Sequence, residues 1–185
     1  MYIKQFKTVT CDQKIIFRLL KKNDKNILID FFANLSNNLK KWYNPHPFNK
    51  KTAIEICNDV DGKHKKVIGI YNKKIISYCQ LLFGLRKWED IRFKKRGIFF
   101  NDKDVCTIAP CVIEDFQHKG LGLKMMEYVI SICNKYNKKY IILQGGVVVK
   151  NKKAIGYYKK NNFKMTKKWL HPLVRVMSYD MFLEI

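Results

Sequence analysis

A glycine-bearing loop, Gln117-His118-Lys119-Gly120-Leu121-Gly122, joins the apolar run Val105 to Ile113 to the amphipathic segment that follows it, and this joint constrains the fold most. Its glycines let backbone approach a ligand with no Cβ in the way. The opening N–H groups of the helix then aim roughly half a unit of positive charge at whatever sits there. The natural guest is a phosphate or pyrophosphate; the structural alternative is a tight turn. A P-loop is excluded because Gly-x-x-x-x-Gly-Lys-Ser/Thr is absent, and a dinucleotide fingerprint because Met125 stands where its third glycine belongs.

The remaining periodicities set strands and helices around this joint. Lys14 to Leu20 is a β-rich run, with Asn23 and Asp24 as N-cap candidates before Ile27, Leu28, Phe31, Phe32 and Leu35 at helical spacing. Trp42 to Phe48 holds two prolines and breaks the helix, and Asn49 to Asp59 reads as a second one. Strands over Lys66 to Tyr71 and Lys74 to Phe83 meet at an Asn72-Lys73 hairpin turn. Arg86 to Asp104 reads as a basic connection. The strand Val105 to Ile113, the helix Leu121 to Tyr136, the strand Tyr140 to Val149 and a helix from Asn151 then follow. Two strands close the chain, near Phe163 to Trp169 and Leu173 to Phe182.

At 185 residues and 47% hydrophobic content, with no linker-like break, the chain fits one domain, residues 1–185. No window approaches the roughly eighteen apolar residues of a membrane span, and Lys4 and Lys7 replace an apolar signal core. Six cysteines (11, 57, 79, 106, 111 and 133) form no Cys-x-x-Cys pair and lie mostly in apolar runs. They read as reduced core thiols of a cytoplasmic protein, with no metal site. The 37 Lys and Arg against 15 Asp and Glu leave a net charge of +22. Only five of those cations are arginines, the residue that specific nucleic-acid readers favour, and the lysines are scattered. The charge therefore reads as solvated surface that also attracts anionic ligands, and argues against a dedicated nucleic-acid module.

The loop fits Gln/Arg-x-x-Gly-x-Gly/Ala and resembles the acetyl-CoA pyrophosphate loop of the GNAT superfamily of N-acetyltransferases, where it joins the fourth strand to the third helix. Asn151 to Phe163 is similar to that family's second pattern, Asn-x-x-Ala-x-x-x-Tyr ending in Gly-Phe. Asn151, Ala154, Tyr158 and Phe163 match. Asn162 stands where Gly is usual, and Asn also tolerates the left-handed C-cap position. The resemblance implies an α+β fold: a mixed, mostly antiparallel sheet of about seven strands, splayed between the fourth and fifth, with about four helices on both faces.

By the same resemblance the cosubstrate is acetyl-CoA, released as CoA. Backbone of Cys111, Val112 and Ile113 would bond the pantetheine arm, and Gln117, His118, Lys119, Gly120, Leu121 and Gly122 the pyrophosphate. Asn151, Ala154 and Tyr158 would line the cofactor from the second motif, Tyr158 acting as general acid to the departing thiolate. The reaction is acetyl transfer to a primary amine by direct attack.

A general base is less obvious, because the family's Glu or His positions on the fourth strand are Ile108 and Cys106 here. Glu114, Asp104 and His46 are the candidates. A lysine-like amine of pKa about 10.4 is only about 0.04% neutral at pH 7, a penalty near 4.6 kcal/mol, whereas an α-amine near 7.8 loses only about 1.2 kcal/mol. The acceptor expected is therefore a small molecule of modest basicity, an amino sugar or amino acid, deprotonated through water. The alternatives are a protein acetyltransferase, acting on lysines or N-termini, and a basic nucleic-acid-binding module. Trp42 to Phe48 lies where family members build the acceptor wall, and the family leaves room for a homodimer through the C-terminal strands.

Overall fold

The computed structural model describes residues 6–10, 13–43, 45–171 and 175–185. Cys11, Asn44 and Leu173, and the start of the Met1 to Lys7 segment, lie outside these. Two compact units emerge, one from the described residues up to Leu81 with Ala109–Ile132, the other from Leu82–Ile108 with Cys133–Ile185.

The first unit opens with β1 (Phe6–Thr10) and β2 (Gln13–Leu19), antiparallel, and β2 pairs antiparallel with β3 (His64–Tyr71). β4 (Lys74–Phe83) follows through Asn72 and Lys73, whose φ values of 46° and 62° are those of a primed hairpin turn. β5 (Val105–Val112) lies beside β4, and only its second half belongs to this unit. Between β2 and β3 run α1 (Lys25–Asn34), α2 (Asn37–Trp42) and α3 (Lys50–Asn58). α5 (Leu121–Lys135) follows the glycine loop. β4 is buried without alternation from Ile75 to Leu81, as a strand covered on both faces should be. On one face Leu28, Phe31 and Phe32 of α1 and Ala53, Ile56 and Cys57 of α3 pack with Ile68, Tyr78 and Cys111. On the other, Tyr128 of α5 stacks on Phe17 at 6.2 Å. Gly69 faces Phe17 across the β2–β3 ladder, where a Cβ would collide with Ser77 Oγ and meet the Phe17 ring at 2.8 Å.

Asp24 refines one expectation. It stands at the N-cap position of α1, as expected, but its side chain does not bond that helix; its carboxylate instead receives both Arg18 guanidinium nitrogens, at 2.6 and 2.7 Å, and caps the preceding 3-10 turn by accepting the Lys21 N–H at 2.7 Å.

In the second unit the first half of β5 pairs in parallel with β6 (Tyr140–Leu143), from Val105–Tyr140 to Ile108–Leu143. A final bond from Gln144 N–H to Ile108 O, 2.9 Å, closes this ladder, and β5 runs four residues beyond it. This parting is the expected splay, shifted one number along because β1 precedes the expected strands. β9 (Met177–Glu184) pairs antiparallel with β6, with β7 (Val147–Val148) and with β8 (Lys164–Leu170). The expected single strand Tyr140 to Val149 is thus broken, at Gly145 and Gly146, whose φ values of 71° and 70° suit glycine. Gly146 also meets the Tyr179 carbonyl so closely that a Cβ would not fit.

The connection Arg86 to Asp104 contains a helix, α4 (Lys87–Lys94), which hydropathy does not announce. Two of its charged residues, Glu89 and Arg92, turn inward because each finds a partner, while Lys87 and Lys94 stay exposed. Arg92 lies between the rings of Trp88 and Trp169, 4.2 and 3.8 Å from their centroids, and pairs with the buried Asp180 at 2.7 Å. Glu89 is fully buried and accepts the N–H groups of Gly145 (3.1 Å) and Arg86 (3.2 Å). α6 (Lys152–Lys160) completes the unit. The described residues therefore hold nine strands and six α-helices in place of about seven and four. The five described cysteines are buried, and no helix among the described residues is long and apolar enough to cross a membrane.

Candidate active site

In the first unit, Ile113 ends β5 by donating its N–H to Ile76 O at 3.1 Å. Its N–H is thereby committed to the sheet. A single 3-10 turn, Glu114–Phe116, then delivers Gln117, whose Nε2 donates back to Val112 O at 2.8 Å. Gln117 thus ties the loop to the strand it leaves, a positioning role that sequence left open. His118 and Gly120 both take left-handed φ values, 60° and 77°, and expose the loop before Leu121 buries at the start of α5. The first helical bond runs from Lys124 N–H to Gly120 O, 3.2 Å, so the N–H groups of Leu121 and Leu123 precede the ladder at its positive end. Lys119 Nζ sits 5.7 Å from the Phe116 ring centre. Cys111 is buried, and burial, with Glu114 adding to it, pushes its thiol up to about 12, so this side chain packs and does not ionise. Val112 and Ile113 are half-buried.

The three base candidates receive very different surroundings. Asp104 stands at the start of β5, the opposite end from the parting point, with Lys139 Nζ 3.2 Å from its carboxylate. At about 3.3 Å per residue it lies on the order of 13 Å from Ile108. Glu114 accepts a short hydrogen bond from Ser36 Oγ on the exposed side of the first unit. His46 lies in a box formed by Phe32, Tyr43, Phe48 and Tyr78, with ring centroids 5.1 to 5.7 Å away. Its Nδ1 is 2.9 Å from Pro47 O, which can only accept, so Nδ1 carries the proton and Nε2 offers a lone pair. Tyr78 Oη lies 3.1 Å from Nε2, and Tyr43 Oη 3.5 Å. Tyr43 Oη also donates to Ala109 O, 3.4 Å, the first β5 carbonyl beyond the end of the β6 ladder. Burial holds the His46 pKa below its ordinary value, with Lys66 adding to the effect against the raising influence of the Pro47 carbonyl. Tyr78 is held well above the usual phenol range by burial and stays a donor. Sequence reasoning missed Tyr78, whose one signal was a phenol inside the apolar run Lys74 to Phe83; Tyr43 falls within the Trp42 to Phe48 segment expected at the acceptor wall.

In the second unit Asn151 is the N-cap of α6, its Oδ1 accepting from Ala154 N–H at 3.1 Å. Tyr158, buried, lies near the other end of α6. Asn162 takes φ 61°, its N–H bonds Lys159 O, and Phe163 N–H bonds Tyr158 O, each at 3.0 Å. This is a Schellman closure, and the apolar contact that accompanies it is Phe163 on Tyr158 itself, at 5.3 Å. The same motif therefore ends the helix and orients the tyrosine. Asn162→Val is expected to cost about 1–2 kcal/mol in chemical denaturation, since a β-branched residue must adopt the left-handed conformation there.

The acetyltransferase (GNAT) family model matches residues 33–163, well over half of the chain, and the chain belongs to that family. No curated protein matches it at the level of sequence. Among solved structures it is similar to the GNAT domain of S. lividans PAT, with 12% identity, TM-score 0.76, and 98% of this chain and 97% of that one covered. It is also similar to the ribosomal-protein-S5-alanine acetyltransferase from Vibrio fischeri, at 11% identity, TM-score 0.77 and the same coverage. The aminoglycoside acetyltransferase AAC(6')-Ib in complex with coenzyme A shares 18% identity and a TM-score of 0.69, over 92% of this chain and 94% of that one.

Proposed function

We propose that this chain is a cytoplasmic, acetyl-CoA-dependent N-acetyltransferase of small amines. The observation that carries the reading is the left-handed loop at Gly120, tied to β5 by Gln117 and opening directly into α5. Such a loop suits a pyrophosphate: exposed backbone, a helix dipole and no side chain at the closest approach. Family structures with coenzyme A bound support the cosubstrate.

In the proposed reaction the neutral amine attacks the thioester carbonyl, a tetrahedral intermediate forms, and the carbon–sulfur bond breaks to give the N-acetyl amine and CoA. Of the three candidates, His46 fits the base role best. Its Nε2 lone pair accepts from Tyr78 Oη at rest and takes the proton that the amine loses once the phenol turns aside, while the Pro47 carbonyl holds the tautomer. Glu114 and Asp104 are each engaged elsewhere. Tyr158 donates to the departing thiolate, as the family motif implies. A tyrosine of pKa about 10 does not fully protonate a thiolate of about 8.5 without help, so a charge-assisted hydrogen bond is the main contribution. Tyr158→Phe is expected to lower kcat about 10- to 100-fold, with little change in KM for acetyl-CoA.

A small, weakly basic acceptor follows from the cost of deprotonating a lysine-like amine. An N-terminal α-amine meets the same condition. A thiol-release assay with acetyl-CoA over amino sugars, amino acids, N-terminal peptides and lysine peptides separates these, and turnover confined to lysine peptides would overturn the small-amine reading.

A further inference from the structure

A cavity of about 230 Å³ in the first unit, away from the glycine loop in sequence, lies where β2 ends and β3 begins. Four lysines line it, Lys21, Lys22, Lys65 and Lys66, against one acidic residue, Asp61. In a lysine-rich chain, lysines beside a cavity mean little by number. Lys66 differs in kind: it is 5% exposed, and it is the one buried lysine among the described residues.

A buried ammonium needs compensation, and Lys66 has little. Its Nζ donates to His64 O at 2.9 Å, a neutral carbonyl, and no ion pair engages it among the described residues. Lys65 Nζ next to it likewise donates to a carbonyl, Val60 O, at 3.2 Å. Burial lowers the Lys66 pKa, Asp59 opposes this and Lys65 adds to it. Burying a charge whose hydrogen-bond partner is neutral and whose nearby carboxylate forms no ion pair with it is costly, and an anion in the cavity would offset the cost. The wall is fixed in place, since Leu20 N–H bonds Lys66 O at 2.8 Å and joins the two strand ends.

We propose that this cavity is a second anion site, taking a phosphate or a small phosphate ester, with Lys66 as the buried anchor and Lys21, Lys22 and Lys65 as the rim. The volume suits that class, being smaller than the roughly 300–1,000 Å³ of sites for drug-sized ligands. A phosphate presents several acceptor oxygens, matching ammonium groups with donors to spare.

The test is an amide ¹H–¹⁵N titration of the full chain with inorganic phosphate and then phenyl phosphate, repeated on three variants. Lys66→Met removes the anchor. The double variant Lys21→Ala/Lys22→Ala changes only exposed residues and keeps the test decisive if Lys66→Met fails to fold. Lys94→Ala/Lys164→Ala changes exposed lysines of the second unit as a control. Saturable shifts at residues 19–22 and 60–66 are expected, with affinity about tenfold or more weaker in Lys66→Met, weaker also in the rim variant, and unchanged in the control. Shifts confined to residues 117–122, no saturation, or equal weakening in the control would each overturn the site.

Discussion

A Gly120→Glu variant is expected to bind acetyl-CoA at least about 100-fold more weakly than the parent in calorimetric titration, for three reasons that act at one atom. Gly120 has φ 77°, a conformation that costs an L-residue about 1–2 kcal/mol. The new side chain would stand where a pyrophosphate must approach backbone. Its carboxylate would itself be drawn to the positive end of α5, competing with the diphosphate there and repelling it. The loop is exposed, so the loss of stability should be limited to the backbone strain. At this chain length that is about 2–4 °C in Tm per kcal/mol. Unimpaired binding in a folded variant would remove the loop from the cofactor site.

His46→Phe should leave acetyl-CoA binding intact and lower kcat/KM for the amine by about 100-fold or more, the ordinary range for a lost general base. Phenylalanine keeps a ring packed, mostly edge-on, among Phe32, Tyr43, Phe48 and Tyr78, so packing is preserved while both nitrogens vanish. Tyr78 Oη would lose its partner, a further cost of about 1–3 kcal/mol in stability that a melting curve measures separately. The pH profile supplies a signature that packing alone cannot. His46 must be neutral to accept a proton, and burial holds its pKa below the ordinary value of about 6.5. As the proposed base, His46 would therefore remain competent to lower pH than an exposed histidine, and activity is expected to fall only as pH drops through that lowered value. In His46→Phe this acid limb should disappear. An unchanged limb would place the titrating group elsewhere.

Local chemistry made some of this architecture legible from residues alone. The joint from β5 through Gly120 into α5, the helix expected over Asn49 to Asp59, the Asn72-Lys73 turn and the α6 motif each depend on residues within a few positions of one another. Asn162 shows how far such reasoning reaches, since a side chain tolerant of left-handed backbone was enough to expect the helix end it makes. α4 shows where it stops. Glu89 and Arg92 look solvent-facing until Gly145 N–H and Asp180, far away in sequence, provide their partners. Likewise, His46 gained its setting from Tyr78 on β4 and from Tyr43, which reaches Ala109 on β5, contacts that only folding creates. The Tyr140 to Val149 run read as one strand because its apolar residues continue across the bend; Gly145 and Gly146, between them, were the sign that it breaks.

Acetyl transfer itself is the central claim, and mass spectrometry of a reaction containing the full chain, acetyl-CoA and the amine panel measures it directly. One acetyl group gained on an amino sugar or amino acid, with equal release of CoA, is the expected result. Absence of acetylated product from every amine and peptide, under conditions where acetyl-CoA is bound, would contradict it.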